Sequence, residues 1–103
     1  MTGYAFGPVD QVADADGVLR LAGRVLVGSI KVGDEFTVIE TDTEDLPCRL
    51  QVTRIVIFGA EVREIEAAMT PSIEVIQVEP LHNALGGTVL RGSGAARTTL
   101  FDP

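Results

Sequence analysis

The stretch Gly23–Ile39, GRVLVGSIKVGDEFTVI, constrains the fold more than any other part of the chain. Val25 and Val27 fall on one face of an extended strand, and Arg24 and Leu26 fall on the other. Gly28-Ser29 then turns the chain. Ile30 and Val32 alternate with Ser29 and Lys31, Gly33-Asp34 turns it again, and Phe36, Val38 and Ile39 resume an apolar run. Period-two alternation broken by glycine dipeptides is the signature of antiparallel strands joined by tight connections. Glycine serves such turns because positive φ costs it little. A helix is excluded over this stretch, since β-branched residues dominate it and glycines interrupt it at short intervals.

The flanking segments repeat the pattern. Tyr4 and Phe6 share a face and open a first strand. Pro8 reads as a strand start or an edge position, because proline cannot donate to a ladder. Asp16-Gly17 is the strongest turn signal of the first half. Val18–Val27 then predicts one long strand with Leu19, Leu21, Gly23, Val25 and Val27 on a single face and the arginines Arg20 and Arg24 on the wetter one. Gly23 in mid-strand predicts either a bulge or a close backbone approach. Thr41–Pro47, TDTEDLP, is polar and reads as a rim loop. Cys48–Phe58 alternates with a slip of parity at Thr53-Arg54, which predicts a bulge, and Gly59 ends it. In Glu61–Met69, the residues Val62, Ile65, Ala68 and Met69 would suit one side of a short helix. The partial alternation of Val62–Glu66 favours an extended segment that turns at Thr70-Pro71. Ile73–Val78 and Thr88–Arg91 are further strands, with Pro80 closing the first and Gly86-Gly87 turning into the second. The tail 93–103 is weakly specified. About six short strands with turns between them predict an all-β fold, a small closed antiparallel barrel, with a core over about 4–92.

The length of 103 residues suits one domain, and a hydrophobic content of 46% supplies its core. No apolar run is long enough to span a bilayer as a helix, and the first residues, MTGYAFGPVD, lack the pattern of a secretory signal. A lone Cys48 cannot form an intrachain disulfide, so a reducing, cytoplasmic setting is the expectation. With 15 acidic against 8 basic residues, the net charge is −7. That balance opposes general nucleic-acid binding, which draws its affinity from Lys and Arg neutralising phosphates. It favours solubility and suits a basic protein partner.

Chemistry-bearing residues are sparse. A small enzyme would use Cys48, with His82 as its base and no third group evident to orient them, or a carboxylate pair. Asp10, Asp14 and Asp16 lack the spacing of a calcium loop and its distal Glu, so no metal site is expected. Glu40, Asp42, Glu44 and Asp45 concentrate acids around one rim loop. They read either as a solvated turn or as a contact patch for a basic partner. No cofactor-binding pattern is present.

At the level of motif, the central stretch resembles the second-domain β-barrel of translational GTPases, the group that includes elongation factor Tu. The residues that carry the likeness are Gly23, Arg24, Val25, Gly28, Ile30, Lys31, Val32, Gly33 and Asp34. Phe6–Val12, FGPVDQV, resembles the first strand of that barrel, and Gly87-Thr88-Val89-Leu90 its closing strand, with Gly86 in place of the usual Arg. The resemblance spans about 6–92 and implies a free-standing barrel of translation-factor type. It also implies a place where acids and an aromatic residue of the first strand hold the aminoacyl end of tRNA. Of those features only the first acid, Asp10, is present. Gln11 stands at the second acid and Ala13 at the aromatic position. No G-x-x-x-x-G-K-S/T loop occurs, so GTP binding by this chain alone is not expected.

These observations lead to a non-enzymatic binding module, foremost a protein-interaction domain. The alternatives are a tRNA- or ribosome-binding accessory protein of translation, and an immunity or decoy protein that mimics a translation factor.

Overall fold

The computed structural model describes residues 3–13, 17–78 and 85–93. Its strands are β1 (Gly3–Ala13), β2 (Val18–Val27), β3 (Ser29–Lys31), β4 (Glu35–Glu40), β5 (Asp45–Ile57), β6 (Ala60–Val62), β7 (Glu64–Glu66), β8 (Ser72–Gln77) and β9 (Val89–Ser93). Six of them form a ring in the order β4-β9-β1-β2-β8-β5, and β5 pairs back onto β4. Every pairing is antiparallel. The result is a closed barrel, which leaves its six strands no free edge. β6 hangs from β5 as a short hairpin, and β3 with β7 makes a separate two-stranded sheet.

The alternation seen in sequence fills the barrel. Leu19, Leu21 and Val25 of β2 turn inward against Tyr4 and Phe6 of β1, Phe36 and Ile39 of β4, Leu50, Val52 and Ile55 of β5, and Ile73 and Val75 of β8. The Tyr4 ring meets Phe36 edge-on with centroids 5.9 Å apart. Its hydroxyl donates to the Glu35 carbonyl at 2.7 Å, which satisfies the polar end of an otherwise apolar residue. Gly23 faces inward opposite Pro8, and a Cβ there would run into the Gly7 carbonyl and lie 2.8 Å from the Pro8 Cα. Both readings open for Gly23 are observed: the backbones approach closely there, and the register shifts directly beside its pair with Pro8.

Two bulges in the β1–β2 ladder reset the faces. The pairs Ala5↔Val27 and Phe6↔Val25 leave Leu26 unpaired, and Pro8↔Gly23 with Asp10↔Ala22 leave Val9 unpaired. This overturns the assignment of Val27 to the inner face. Beyond the Leu26 bulge its side chain is 49% exposed. Pro8 is not a strand start, since it lies within β1. It pairs with Gly23 of β2, while the ladder with β9 on the other side ends at Phe6, and the adjoining bulge is where a ladder tolerates a residue without an N–H.

The rim loop is shorter than expected. Strand β5 begins at Asp45, so the connection is 41–44, and Pro47 pairs with Val38 beside another register shift. The predicted slip at Thr53-Arg54 is real, with the shift lying between Val52 and Arg54. The segment after Gly59 is extended, as β6 and β7 show, but it turns at Ala67-Ala68 rather than Thr70-Pro71. The Met69 amide donates to the Glu66 carbonyl across that turn at 3.2 Å. Residues 68–71 then run along β2, where the Val25 amide donates to the Met69 carbonyl at 2.9 Å.

Candidate functional site

The central motif builds a turn that clasps the barrel wall. Gly33 takes a φ of 100°, and the Asp34 amide donates to the Lys31 carbonyl at 3.0 Å. Asp34 is only 1% exposed, and its Oδ2 accepts from the Lys31 amide at 2.8 Å. The Gly33 amide donates to the Val52 carbonyl, and the Val52 amide donates to the Asp34 carbonyl, both at 2.8 Å. The Lys31–Asp34 turn is therefore stitched to β5. Gly28 adopts a φ of 70° against the backbone of Gly3, where a Cβ would strike the Gly3 carbonyl. Arg24 and Lys31 of the same motif point to solvent, with Lys31 in register with Glu64 of β7.

On the outer wall, β1, β2 and β8 frame a shallow depression of about 200 Å³ lined by Asp10, Gln11, Val12, Arg20, Ala22 and Ser72. Asp10 accepts the Gln11 amide at 2.8 Å through Oδ1. The Gln11 side-chain oxygen accepts the amide of Leu85 at 2.8 Å, tying the approach to β9 onto β1. Gln11 thus has a structural task at the position where the resemblance implies a second acid.

The acids around 40–45 lie at one end of the barrel. Glu40 pairs with Arg91 across β4–β9. The loop itself is organised by Thr41, whose hydroxyl donates to the Glu44 carbonyl at 2.8 Å and accepts the Glu44 amide at 3.1 Å and the Thr43 amide at 3.3 Å. Asp42, Glu44 and Asp45 are exposed. Ladder registers place Asp10 in the same half of the barrel, since Glu40 pairs with Val89 and the Gly87 amide bonds the Pro8 carbonyl.

Cys48 is 7% exposed and its Sγ donates to the Phe36 carbonyl at 3.4 Å. Burial strips the thiolate of water and pushes the thiol from 9.0 up to about 11. A thiol so placed is a small core residue, not an activated nucleophile. His82, Asp14 and Asp16 lie outside the described residues. Among the described residues no three His, Cys, Asp or Glu side chains converge as a metal site requires.

One feature escapes a reading of the sequence. The β5–β6 hairpin closes through Phe58-Gly59, with Ile57 paired to Ala60. Both turn residues are left-handed, at φ 53° and 76°, the pattern of a type I′ turn. Phe58 is 95% exposed. Gly59 was the available signal, since X-Gly between two extended runs marks such turns, but nothing in the letter F announces positive φ.

Neither a protein-family profile nor a curated protein sequence matches the chain. Solved structures do. Translation elongation factor SelB from Methanococcus maripaludis, in its apo form, superposes with a TM-score of 0.69 at 17% identity, over 89% of this chain and 19% of SelB. The same factor in complex with the GTP analogue GppNHp gives 0.70 at 17% identity over the same shares. The chain therefore spans about a fifth of the length of the protein it matches. At this identity the likeness shows the fold: an antiparallel barrel of the second-domain type found in translational GTPases, and not their nucleotide-hydrolysing domain.

Proposed function

We propose that this chain is a non-enzymatic binding module that recognises a protein through the outer wall of its barrel. The observation that carries this reading is the depression over β1, β2 and β8, where a carboxylate (Asp10), a guanidinium (Arg20) and apolar surface (Val12, Ala22) border one concavity. A few convergent polar groups around an apolar floor suit recognition. The barrel interior is filled by packed apolar side chains, which directs recognition to the outside. The acidic net charge of −7 and the exposed acids Asp42, Glu44 and Asp45 in the same half favour a partner with basic surface. The buried free thiol suits a reducing cytoplasm.

A second reading is favoured by where the depression sits. It lies on the first strand, the place that the resemblance to elongation factor Tu associates with the aminoacyl end of tRNA, and the structural neighbours are translation elongation factors. The use of Gln11 to hold Leu85, together with Ala13, weighs against it. A translation-factor mimic acting as an immunity or decoy protein would use the same wall on a different protein.

The test compares the native chain with the double variant Asp10→Lys/Val12→Asp as bait in lysate of the source cells, with and without nuclease. A protein retained after nuclease by the native chain and lost from the variant supports protein recognition. Retention that nuclease abolishes, with aminoacyl-tRNA in the eluate, supports the second reading. Equal retention by both baits removes the wall from consideration.

A further inference from the structure

We propose that the tip of the β5–β6 hairpin is a second docking point, where the Phe58 ring enters an apolar pocket of a partner protein whose rim is basic. Scattered exposed apolar side chains are ordinary on protein surfaces, and Val9 or Val78 needs no special account. Phe58 differs because two local rules are broken at one residue. Its backbone is left-handed, a conformation bulky L-residues avoid and Asn, Asp or Gly accept readily. Its ring, 95% exposed, returns nothing through packing. Natural sequences keep such locally unfavourable choices mainly at functional positions.

The stem of the hairpin makes the tip a rigid presenter. Arg54 on β5 reaches Glu61 on β6 at 3.1 Å through Nε and Glu74 on β8 at 3.2 Å through a terminal guanidinium nitrogen. Its guanidinium is raised further above its already high range, first by the hydrogen bond to Glu61 and then by the charges of Glu61 and Glu74. One cation thus pins three strands just below the turn. A side chain held on a braced two-residue turn loses little freedom when it binds, and a few side chains buried in well-packed pockets carry most of an interface's energy.

Charge selects the class of partner. Below the tip two carboxylates, Glu61 and Glu74, share one guanidinium, Arg54, and further along the chain Glu64 and Glu66 stand against Arg63 and against Lys31, in register with Glu64, which leaves a small excess of acid. An exposed aromatic can stack on a nucleotide base, but only where cations meet the phosphates. Anionic lipid is disfavoured by the same acids. A protein pocket with Lys or Arg at its rim answers both the ring and the acids. This docking point lies at the opposite end of β5 from the acidic loop, so it does not depend on the depression near Asp10.

The test replaces Phe58 in the full chain by the photoreactive analogue p-benzoylphenylalanine, with the same analogue at Val78 as control, and irradiates source cells. The expected result is one protein cross-linked from position 58 and not from 78, through a peptide lining an apolar pocket bordered by Lys or Arg. That protein, purified, is expected to lose about 30-fold in affinity for Phe58→Asn and much less for Phe58→Leu. Phe58→Asn is also expected to raise the melting midpoint by about 3 °C, which a structural role for the ring would reverse. A lowered midpoint overturns the proposal. So do cross-links shared with position 78, cross-links to RNA or to a second copy of this chain, and Phe58-dependent binding to phosphatidylcholine–phosphatidylglycerol vesicles. Asp10→Lys/Val12→Asp should leave the cross-link intact, so either docking surface can fail without the other.

Discussion

Strand β5 ends in two hairpins that solve the same problem in opposite ways. At its first end the chain enters from β4 through 41–44, and the Thr41 hydroxyl serves two amides and a carbonyl of its own loop. At its last end it leaves for β6 through Phe58-Gly59, where the backbone is left-handed at a residue that gains nothing from it. The first turn is locally satisfied. The second is held by its stem: the Arg54–Glu61–Glu74 bridge, and the Val52 pairing with Gly33 and Asp34 further down the strand. The difference teaches that exposed turns at one strand's two ends need not share a purpose, and that local satisfaction distinguishes them.

Substitutions that remove each support in turn can break this contrast. The largest effect is expected from Asp34→Ala. It orphans the Lys31 amide in a site that is 1% exposed, and losing a buried, charge-assisted hydrogen bond costs about 2–3 kcal/mol. Chemical denaturation should show the loss in the midpoint with an unchanged slope. Thr41→Val acts at the other end, in solvent, where water replaces much of what is lost. It should cost about 1 kcal/mol. A larger loss from Thr41→Val than from Asp34→Ala would mean that the satisfied loop, and not the buried clasp, anchors β5.

The legible and illegible parts of the chain divide along similar lines. Leu19, Leu21 and Val25 could be placed inside because period-two burial is a property of letters in order, and the barrel follows from several such runs between turn signals. The Thr53-Arg54 bulge was visible because it shifts that order. The Leu26 bulge has no such signal, because its partner strand fixes it, and so Val27 falls outside the inner face, whereas the Val9 bulge is marked only across the ladder, by Gly23. Asp10 could be singled out as a residue, but its depression depends on Arg20, Ala22 and Ser72 from β2 and β8, a juxtaposition that ladder registers create. Gln11 hides a contact 74 positions away. The turn at Ala67-Ala68 is not legible, because alanine at φ 76° carries no compositional signal.

That alanine provides a smaller test. Ala68 and Phe58 share the left-handed backbone, but Ala68 sits where its amide donates to the Val25 carbonyl at 2.9 Å, tying the turn to β2. Ala68→Gly relieves steric strain and adds freedom to the unfolded chain, and the two nearly offset, leaving a gain of about 0.5 kcal/mol. Thermal melts of Ala68→Gly and Phe58→Asn should therefore both move upward. Only Phe58→Asn should reduce capture of a partner. If both variants bind normally, left-handed backbone at a residue other than glycine is no guide to function in this chain.

Cys48 reports on the whole strand, because it lies on β5 between the two hairpins with its thiol enclosed. With the thiol pushed up to about 11 by burial, attack by a thiol reagent near pH 8 has to wait for β5 to open. Labelling should accelerate in Asp34→Ala and, less, in Thr41→Val, and slow by a small factor in the stabilised Phe58→Asn. The same shift makes stability depend on pH. Below 9.0 the folded and unfolded chains both keep the proton and the contribution is fully present. Between 9.0 and about 11 only the unfolded chain releases it, so stability falls as pH rises, and above about 11 the loss is complete. Subtracting the pH profile of Cys48→Ala isolates that fall from other alkaline titrations. A native profile identical to that of Cys48→Ala, or a thiol labelled as fast as a free cysteine, would show that the wall between the hairpins opens readily, and the contrast between β5's two ends would lose its rigid middle.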